Sequence, residues 1–178
     1  ESMASLPIIV APDPRLKVVC EPVETVDDAV RKVLDDMLET MYDAPGIGLA
    51  APQVGVQKRM IVADISRDEE GHNAYIMVNP EIVWESEEVL DYEEGCLSLP
   101  EHYAEVTRPE RVQIKFLDRN GKEREIKVSG LLSTCIQHEI DHLDGVLFVD
   151  HLSNLRRSLI LRKLQKFKKQ QQKKAVGA

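Results

Sequence analysis

The spacing of apolar residues along the chain predicts three helices. Apolar side chains recur every three or four positions over residues 25–42, which predicts a helix with one buried stripe. Thr25 precedes this stripe and is the expected N-cap, with Asp28 three positions further on. The same spacing returns over residues 130–143 and over about residues 154–172, where Ser153 is the expected cap.

Between the first two helices the pattern becomes typical of β-strands. Strands are predicted at about residues 59–65, 75–84, 87–92, 111–117 and 123–128, and Asn120-Gly121 predicts a tight hairpin turn between the last two. The proline-rich arm at residues 7–23 and the small-residue segment at residues 46–55 are expected to be irregular. This order favours a single α+β domain over residues 1–178, with mostly antiparallel sheets around a central helix and with an N-terminal and a C-terminal helix.

Charge is distributed unevenly along the chain. Nine of the 23 basic residues lie after Ser153, where no acidic residue occurs. The part of the chain up to Ser153 carries the other 14 basic residues and all 31 acidic residues. The basic helix has two interpretations, a solvated face that aids solubility or a surface attracted to polyanions such as RNA. The three cysteines do not form the pattern of a disulfide framework and favour a reducing compartment. No apolar run has the length of a membrane span.

The second predicted helix carries the chemistry, in the H-E-x-x-H motif at residues 138–142. Residues four apart share one helix face, so His138 and His142 can reach the same metal ion, and Glu139 lies beside them to handle a proton from bound water. A catalytic site takes a third protein ligand. The candidates include Cys96, which follows Gly95 near a predicted strand end, and also carboxylates and the other histidines, His72, His102 and His151.

Three segments taken together resemble bacterial-type peptide deformylases. They are Gly-Ile-Gly-Leu-Ala-Ala-Pro-Gln at residues 46–53, Glu-Gly-Cys-Leu-Ser-Leu-Pro at residues 94–100 and Gln-His-Glu-Ile-Asp-His at residues 137–142. They occur in the order found in that family, and the similarity runs from about residue 12 through the basic tail. H-E-x-x-H alone is shared with many metallopeptidases, whereas the three segments in combination are specific.

The resemblance implies a ligand set and a reaction. Cys96, His138 and His142 would hold one divalent metal ion, natively Fe(II), for which zinc, nickel or cobalt can substitute. The implied reaction removes the formyl group from the N-terminal formyl-methionine of nascent polypeptides and releases formate. Metal-bound hydroxide would attack the formyl carbon, with Glu139 as general base and acid. The side chain of Gln53 and the backbone N–H of Leu97 would stabilise the oxyanion.

The resemblance also assigns the substrate contacts. Ile47, Gly48 and Gly95 would bind the substrate backbone. An apolar methionine pocket would be formed by Tyr92, Glu94, Leu97, Leu131, Thr134, Cys135 and His138. Arg108 is expected to pair with Glu94 and to brace the segment that carries Cys96.

The expected partners and location follow from the same resemblance. The basic C-terminal helix would dock on the ribosome, and the protein would be a monomer in the bacterial cytoplasm, with an organelle form as the alternative. Neither a membrane nor DNA is an expected partner. Two other functions stay open at this point, a ribosome-associated binding protein with a structural metal site and another small metallo-amidase.

Overall fold

Within residues 4–177, the part that the computed structural model describes, the chain forms two antiparallel sheets and three α-helices. The helices are α1 (Asp28–Asp43), α2 (Gly130–Leu143) and α3 (Asn154–Val176). The strands are β1 (Gly48–Ala50), β2 (Met60–Ala63), β3 (Tyr75–Glu85), β4 (Val89–Cys96), β5 (Leu99–Pro109), β6 (Arg111–Leu117) and β7 (Glu123–Ser129). The α+β prediction, with antiparallel sheets around α2, is confirmed.

The larger sheet is buried on both faces where α1 and α2 cover it. Its five strands run in the order β1-β2-β3-β6-β7, each antiparallel to its neighbours. In β2, Met60 and Val62 join the apolar cluster that contains α1, whereas Ile61 joins the cluster that contains α2. Because successive side chains in a strand point to opposite faces, both helices are fixed by the same four-residue strand.

The second sheet is the β4–β5 pair, which brings the end of β4 towards α2. A third apolar cluster joins Leu99, Ala104 and Val106 of β5 to the segment after α2 and to Leu164 of α3. The long helix α3 is tied to the N-terminal arm by Lys168, whose ammonium donates to the carbonyl oxygens of Val10 and Pro12 at 2.9 and 3.1 Å. Among the residues described here, no helix combines the length and apolarity needed to span a bilayer.

The first helix begins later than its sequence indicates. Its N-cap is Asp27, whose carboxylate accepts the backbone N–H of Val30 at 2.9 Å, and not Thr25. Both residue types cap helices well, and Asp27 also places Asp28 in the positive first turn. The third helix extends to Val176, beyond the predicted end at about residue 172.

Two strands were not predicted, and β4 is longer than expected. β5 was missed because prolines and charged residues interrupt its apolar positions, and β1 lies inside a segment whose small residues predicted irregular chain. β4 continues to Cys96, where the predicted strand stopped at residue 92. Strand pairing explains the two missed strands and the extension of β4, because β1 pairs with β2 and β4 pairs with β5 over almost its full length.

Candidate active site

Helix α2 carries His138, Glu139 and His142 into the interior, where all three side chains are buried. The two imidazole rings lie edge to face, with centroids 5.1 Å apart, as their four-residue spacing predicts. Phe148, from the segment after α2, stacks on the ring of His138 at 6.1 Å between centroids. The two rings are therefore held rigidly on one face of the helix.

Cys96 reaches this face from the end of β4. A register irregularity between Gly95 and Cys96 interrupts the β4–β5 ladder, and the Cys96 Sγ lies 3.3 Å from the His142 Nε2. One ligand atom from each of Cys96, His138 and His142 lies within 4.8 Å of the others. A tetrahedral metal site with one thiolate and one imidazole separates sulfur from nitrogen by about 3.5 Å. The donor set and its spacing therefore fit a metal ion, and the structure brings Cys96 together with the two histidines.

A buried ion pair orients the first histidine. Glu94 Oε1 lies 2.9 Å from His138 Nδ1, and Arg108 donates to both carboxylate oxygens of Glu94 at 2.7 and 3.0 Å. Burial opposes the charge of Glu94, but hydrogen bonds with His138 and Arg108 hold the pKa of its carboxyl below the ordinary value. Because Nδ1 is engaged, the other ring nitrogen of His138 is left for the metal. The predicted Arg108–Glu94 pair is confirmed.

The network extends from this pair to the surface. Arg108 Nη1 donates to Asp141 Oδ2 at 2.9 Å, and the same oxygen lies 2.9 Å from His151 Nε2. From sequence, Asp141 could be either a solvated helix charge or a group that supports the metal ligands, and its contact with Arg108 favours the second interpretation.

Glu139 lies beside the candidate metal ligands and is buried. Burial raises the pKa of its carboxyl to about 7, and its Oε1 has no hydrogen-bond partner among the residues described. A carboxyl in that range can both take up and release a proton near neutral pH. Gly48 of β1 lies against it, since a Cβ added there would lie 2.4 Å from Glu139 Oε2.

Gln53 is oriented by its neighbours. Its Oε1 accepts the backbone N–H of Ala50 at 2.9 Å, and its Nε2 donates to Ser98 Oγ at 3.0 Å and towards Cys96 Sγ at 3.5 Å. The acceptor contact fixes which end of the amide faces the metal ligands. Ser98 was missed from sequence, although it lies two residues after Cys96 in one of the three diagnostic segments.

The site opens into a cleft of about 550 Å³ that continues into a deep cavity of about 70 Å³. Gly48, Gln53 and Leu97 line the cleft, and Ile47, Gly95, His138 and Glu139 line both spaces. The cavity is completed by Tyr92, Glu93, Glu94, Leu131, Thr134 and Cys135. Every residue predicted to contact substrate thus lines one space or the other.

The other candidate histidines lie elsewhere. His102 lines the cleft but contributes to no metal-sized group of ligand atoms in residues 4–177. His72 packs against Tyr42, with ring centroids 4.0 Å apart, and His151 contacts Asp141. The described residues therefore offer Cys96 as the third member of the group.

Comparisons with known proteins agree with this geometry. The family model described as polypeptide deformylase matches residues 5–158. The peptide deformylase of Methylocella silvestris is 56% identical over 163 residues, covering 90% of this chain and 83% of the relative. A peptide deformylase from Ehrlichia chaffeensis, solved in complex with actinonin, superposes with a TM-score of 0.88 at 44% identity, over 92% of this chain and 98% of the other.

A more distant structure carries a peptide. The class I type b peptide deformylase of Acinetobacter baumannii, solved with Met-Ala-Ser bound, is 35% identical with a TM-score of 0.80, and the match covers 85% of this chain and all of that one. Both the sequence and the architecture match over most of their lengths. The chain therefore belongs to the polypeptide deformylase family, metalloenzymes that remove the formyl group from the N-terminus of newly made peptides.

Proposed function

We propose that the chain deformylates formyl-methionine peptides with Cys96, His138 and His142 as metal ligands and with Glu139 as general base and acid. One observation carries this proposal: the Cys96 sulfur and both imidazoles form one metal-sized group, and Cys96, His138, the buried carboxyl of Glu139 and the Gln53 amide line the same cleft. The whole constellation lies on elements fixed by the core, which suits catalysis by prearranged groups.

The metal is proposed to be Fe(II), with zinc, nickel or cobalt as functional substitutes. A thiolate with two imidazoles suits these soft or borderline ions better than it suits calcium or magnesium. When bound, the ion lowers the pKa of a water molecule and polarises the formyl carbonyl.

Different protein groups then transfer the protons and stabilise the negative charge of the reacting carbonyl. Glu139 takes a proton from the attacking water and delivers it to the amide nitrogen as the carbon–nitrogen bond breaks, so that formate and a free amine leave. The Gln53 Nε2 and the backbone N–H of Leu97 stabilise the negative charge that develops on the formyl oxygen. Losing one such donor typically lowers the rate by about 10²–10³.

The substrate backbone is proposed to run along Ile47, Gly48 and Gly95. β1 lies at the edge of the larger sheet, so an extended peptide can pair with it through main-chain hydrogen bonds. The methionine side chain would enter the deep cavity, lined by Tyr92, Glu94, Leu131, Thr134, Cys135 and His138. The Met-Ala-Ser peptide of the Acinetobacter baumannii relative supports a methionine-first peptide as ligand.

Formate release distinguishes this function from its two alternatives. The metal-loaded protein should release formate from formyl-Met-Ala and leave internal peptide bonds intact, under anaerobic conditions with Fe(II) and also with zinc. A general metallo-amidase would cleave other amides as well. A binding protein with a structural metal site would release no formate.

The role of Glu139 is tested by substitution. Glu139→Ala should lower the rate of formate release by at least about 10²-fold while one metal ion per chain is retained, because no ligand is removed. Glu105→Ala, which removes an exposed carboxylate from β5, is the matched control and should keep the rate. Persistent activity in Glu139→Ala would overturn the mechanism.

The cellular setting is part of the same proposal. The protein acts as a monomer of one catalytic domain in the bacterial cytoplasm, where its substrate leaves the ribosome. The relatives described above are bacterial, which supports this location over an organelle. The basic helix α3 would hold the enzyme at the ribosome, because clustered cations attract a polyanion.

A further inference from the structure

The deep cavity contains a buried hydroxyl that no protein group satisfies. Thr134, on α2, lines the cavity and is buried, and its Oγ1 has no hydrogen-bond partner among the residues described. Threonine in a helix commonly bonds the carbonyl oxygen one turn back, and here that oxygen belongs to Gly130. The hydroxyl makes no such bond.

An unsatisfied buried hydroxyl requires an explanation. Buried polar atoms are hydrogen-bonded in the large majority of cases, since leaving one unpaired forfeits its interactions with water. Two neighbouring groups are already engaged: Cys135 Sγ lies 3.5 Å from the carbonyl oxygen of Ile47, and the Glu94 carboxylate accepts from Arg108 and contacts His138 Nδ1. Thr134 therefore contributes an O–H donor without a partner among the described residues, in a cavity that it shares with the apolar side chains of Ile47 and Leu131, with Cys135 and with the carboxyl of Glu139.

We infer that the Thr134 hydroxyl donates a hydrogen bond to the thioether sulfur of the methionine at the first position of the substrate. This inference rests on the proposed function, in which the cavity receives that side chain. A thioether sulfur is a weak acceptor, whereas the methylene at the same position of norleucine accepts nothing. Thr134 is thus a specificity-determining residue that distinguishes methionine from an apolar side chain of equal length.

The test compares two substrates on one enzyme preparation. The kcat/KM for formyl-Met-Ala is divided by that for formyl-norleucine-Ala, so that the active fraction and the metal content cancel. Thr134→Val keeps the side-chain shape and removes the hydroxyl. The ratio should fall by about three- to tenfold in this variant, the range expected for one weak hydrogen bond in a buried site. Thr134→Ser, which keeps the hydroxyl, should retain the ratio of the unsubstituted enzyme.

A neighbouring hydroxyl provides the control. Ser133 is also buried on α2, but its Oγ is bonded to Gln137 Nε2 at 2.9 Å, and Ser133 does not line the cavity. Ser133→Ala should leave the ratio unchanged. The inference is overturned if Thr134→Val changes the ratio by less than about twofold, or if Thr134→Ser or Ser133→Ala lowers it as much. Absence of formate from both substrates in the unsubstituted enzyme would instead refute the proposed function.

Discussion

Gly48 shows how little space separates β1 from the carboxyl of Glu139, the proposed general base. A Cβ at this position would lie 2.4 Å from Glu139 Oε2 and 2.8 Å from Cys135 Sγ. Both atoms belong to α2, and this helix is too tightly packed to move away from β1. Any residue other than glycine must therefore move Glu139.

Gly48→Ala should lower kcat/KM for formyl-Met-Ala by at least about 10²-fold, because displacing a catalytic group by about 1 Å has effects of that order. Metal content should stay at one ion per chain, since the three atoms nearest the added methyl belong to Glu139 and Cys135, neither of which is a proposed ligand. Gly71→Ala is the control: its added methyl meets nothing within 4 Å, and the backbone strain of an alanine at its φ of 75° arises at a residue that does not line the cleft, so activity should be kept. Equal activity of the two variants would contradict this view of β1.

Ser98 holds the Gln53 amide, which is proposed to stabilise the oxyanion. The Gln53 amide is held at one end by the Ala50 N–H and at the other by Ser98 Oγ. Ser98→Ala should lower kcat by about tenfold with KM little changed, because a loosened amide stabilises the developing charge less well. In a Gln53→Ala background the same substitution should have almost no further effect, which a double-mutant cycle measures. Additive losses would show that Ser98 acts independently of Gln53.

At the scale of single residues, the sequence predicts the candidate metal ligands better than it predicts the residues that hold the site in place. Cys96, His138 and His142 belong to segments whose residue types have few other uses in combination, so they could be named before the structure. Ser98 could not, and Asp141 could be named only as one of two alternatives, because a serine or an aspartate acquires its role from the group that folding brings beside it.

Among the elements, α2 is joined to the β4–β5 pair by one guanidinium. Arg108 of β5 donates to Glu94 of β4 and to Asp141 of α2, and it is 5% exposed. Burial opposes the charge of Arg108, but the two carboxylates hold the pKa of the guanidinium above its ordinary value. The ion pair is therefore charged near neutral pH, and it joins the end of β4, which carries Cys96, to the helix that carries the two histidines.

Arg108→Met should lower the free energy of unfolding by about 3–5 kcal/mol, because it leaves two carboxylates without their buried partner. The comparison is Arg119→Met, which breaks an exposed pair of similar geometry with Asp35 and should cost about 0–1 kcal/mol. Urea unfolding of the metal-loaded variants measures both values. If both substitutions lowered the free energy of unfolding equally, the buried Arg108 network would not stabilise the packing of α2 against the β4–β5 pair.

The sequence predicts those elements in which apolar residues recur at a regular spacing. α1 and α2 have continuous apolar stripes and were found, with an error of three residues at the start of α1. β1 has only three residues, and β5 mixes buried positions with prolines and charges, so neither carries its own signal. Their conformation comes from pairing with β2 and β4, which is information that a local pattern does not contain.

At the scale of the whole molecule the charges are separated between body and tail. All 31 acidic residues precede α3, and nine of the 23 basic residues lie on α3. α3 buries only Leu164 among its described side chains, so most of its cations face solvent. A polyanion such as the ribosome would be attracted by this helix and repelled by the acidic body, which would orient the enzyme as well as concentrate it.

Two triple variants of equal charge test this orientation. One replaces Lys163, Lys166 and Lys169 of α3 by glutamate, and the other replaces Lys115, Lys122 and Lys127, which lie exposed on or between β6 and β7. The α3 variant should bind ribosomes at least about tenfold more weakly, and binding of the unsubstituted enzyme should weaken steeply with added salt, because each lysine–phosphate contact releases counterions. Lys168 is left in place, since its bonds to Val10 and Pro12 tie the helix to the N-terminal arm.

Formate release from free formyl-Met-Ala should be the same in both variants, because none of the six positions lines the cleft. Equal weakening by the two triples would mean that net charge alone governs association, and salt-independent binding would rule out an electrostatic role for α3.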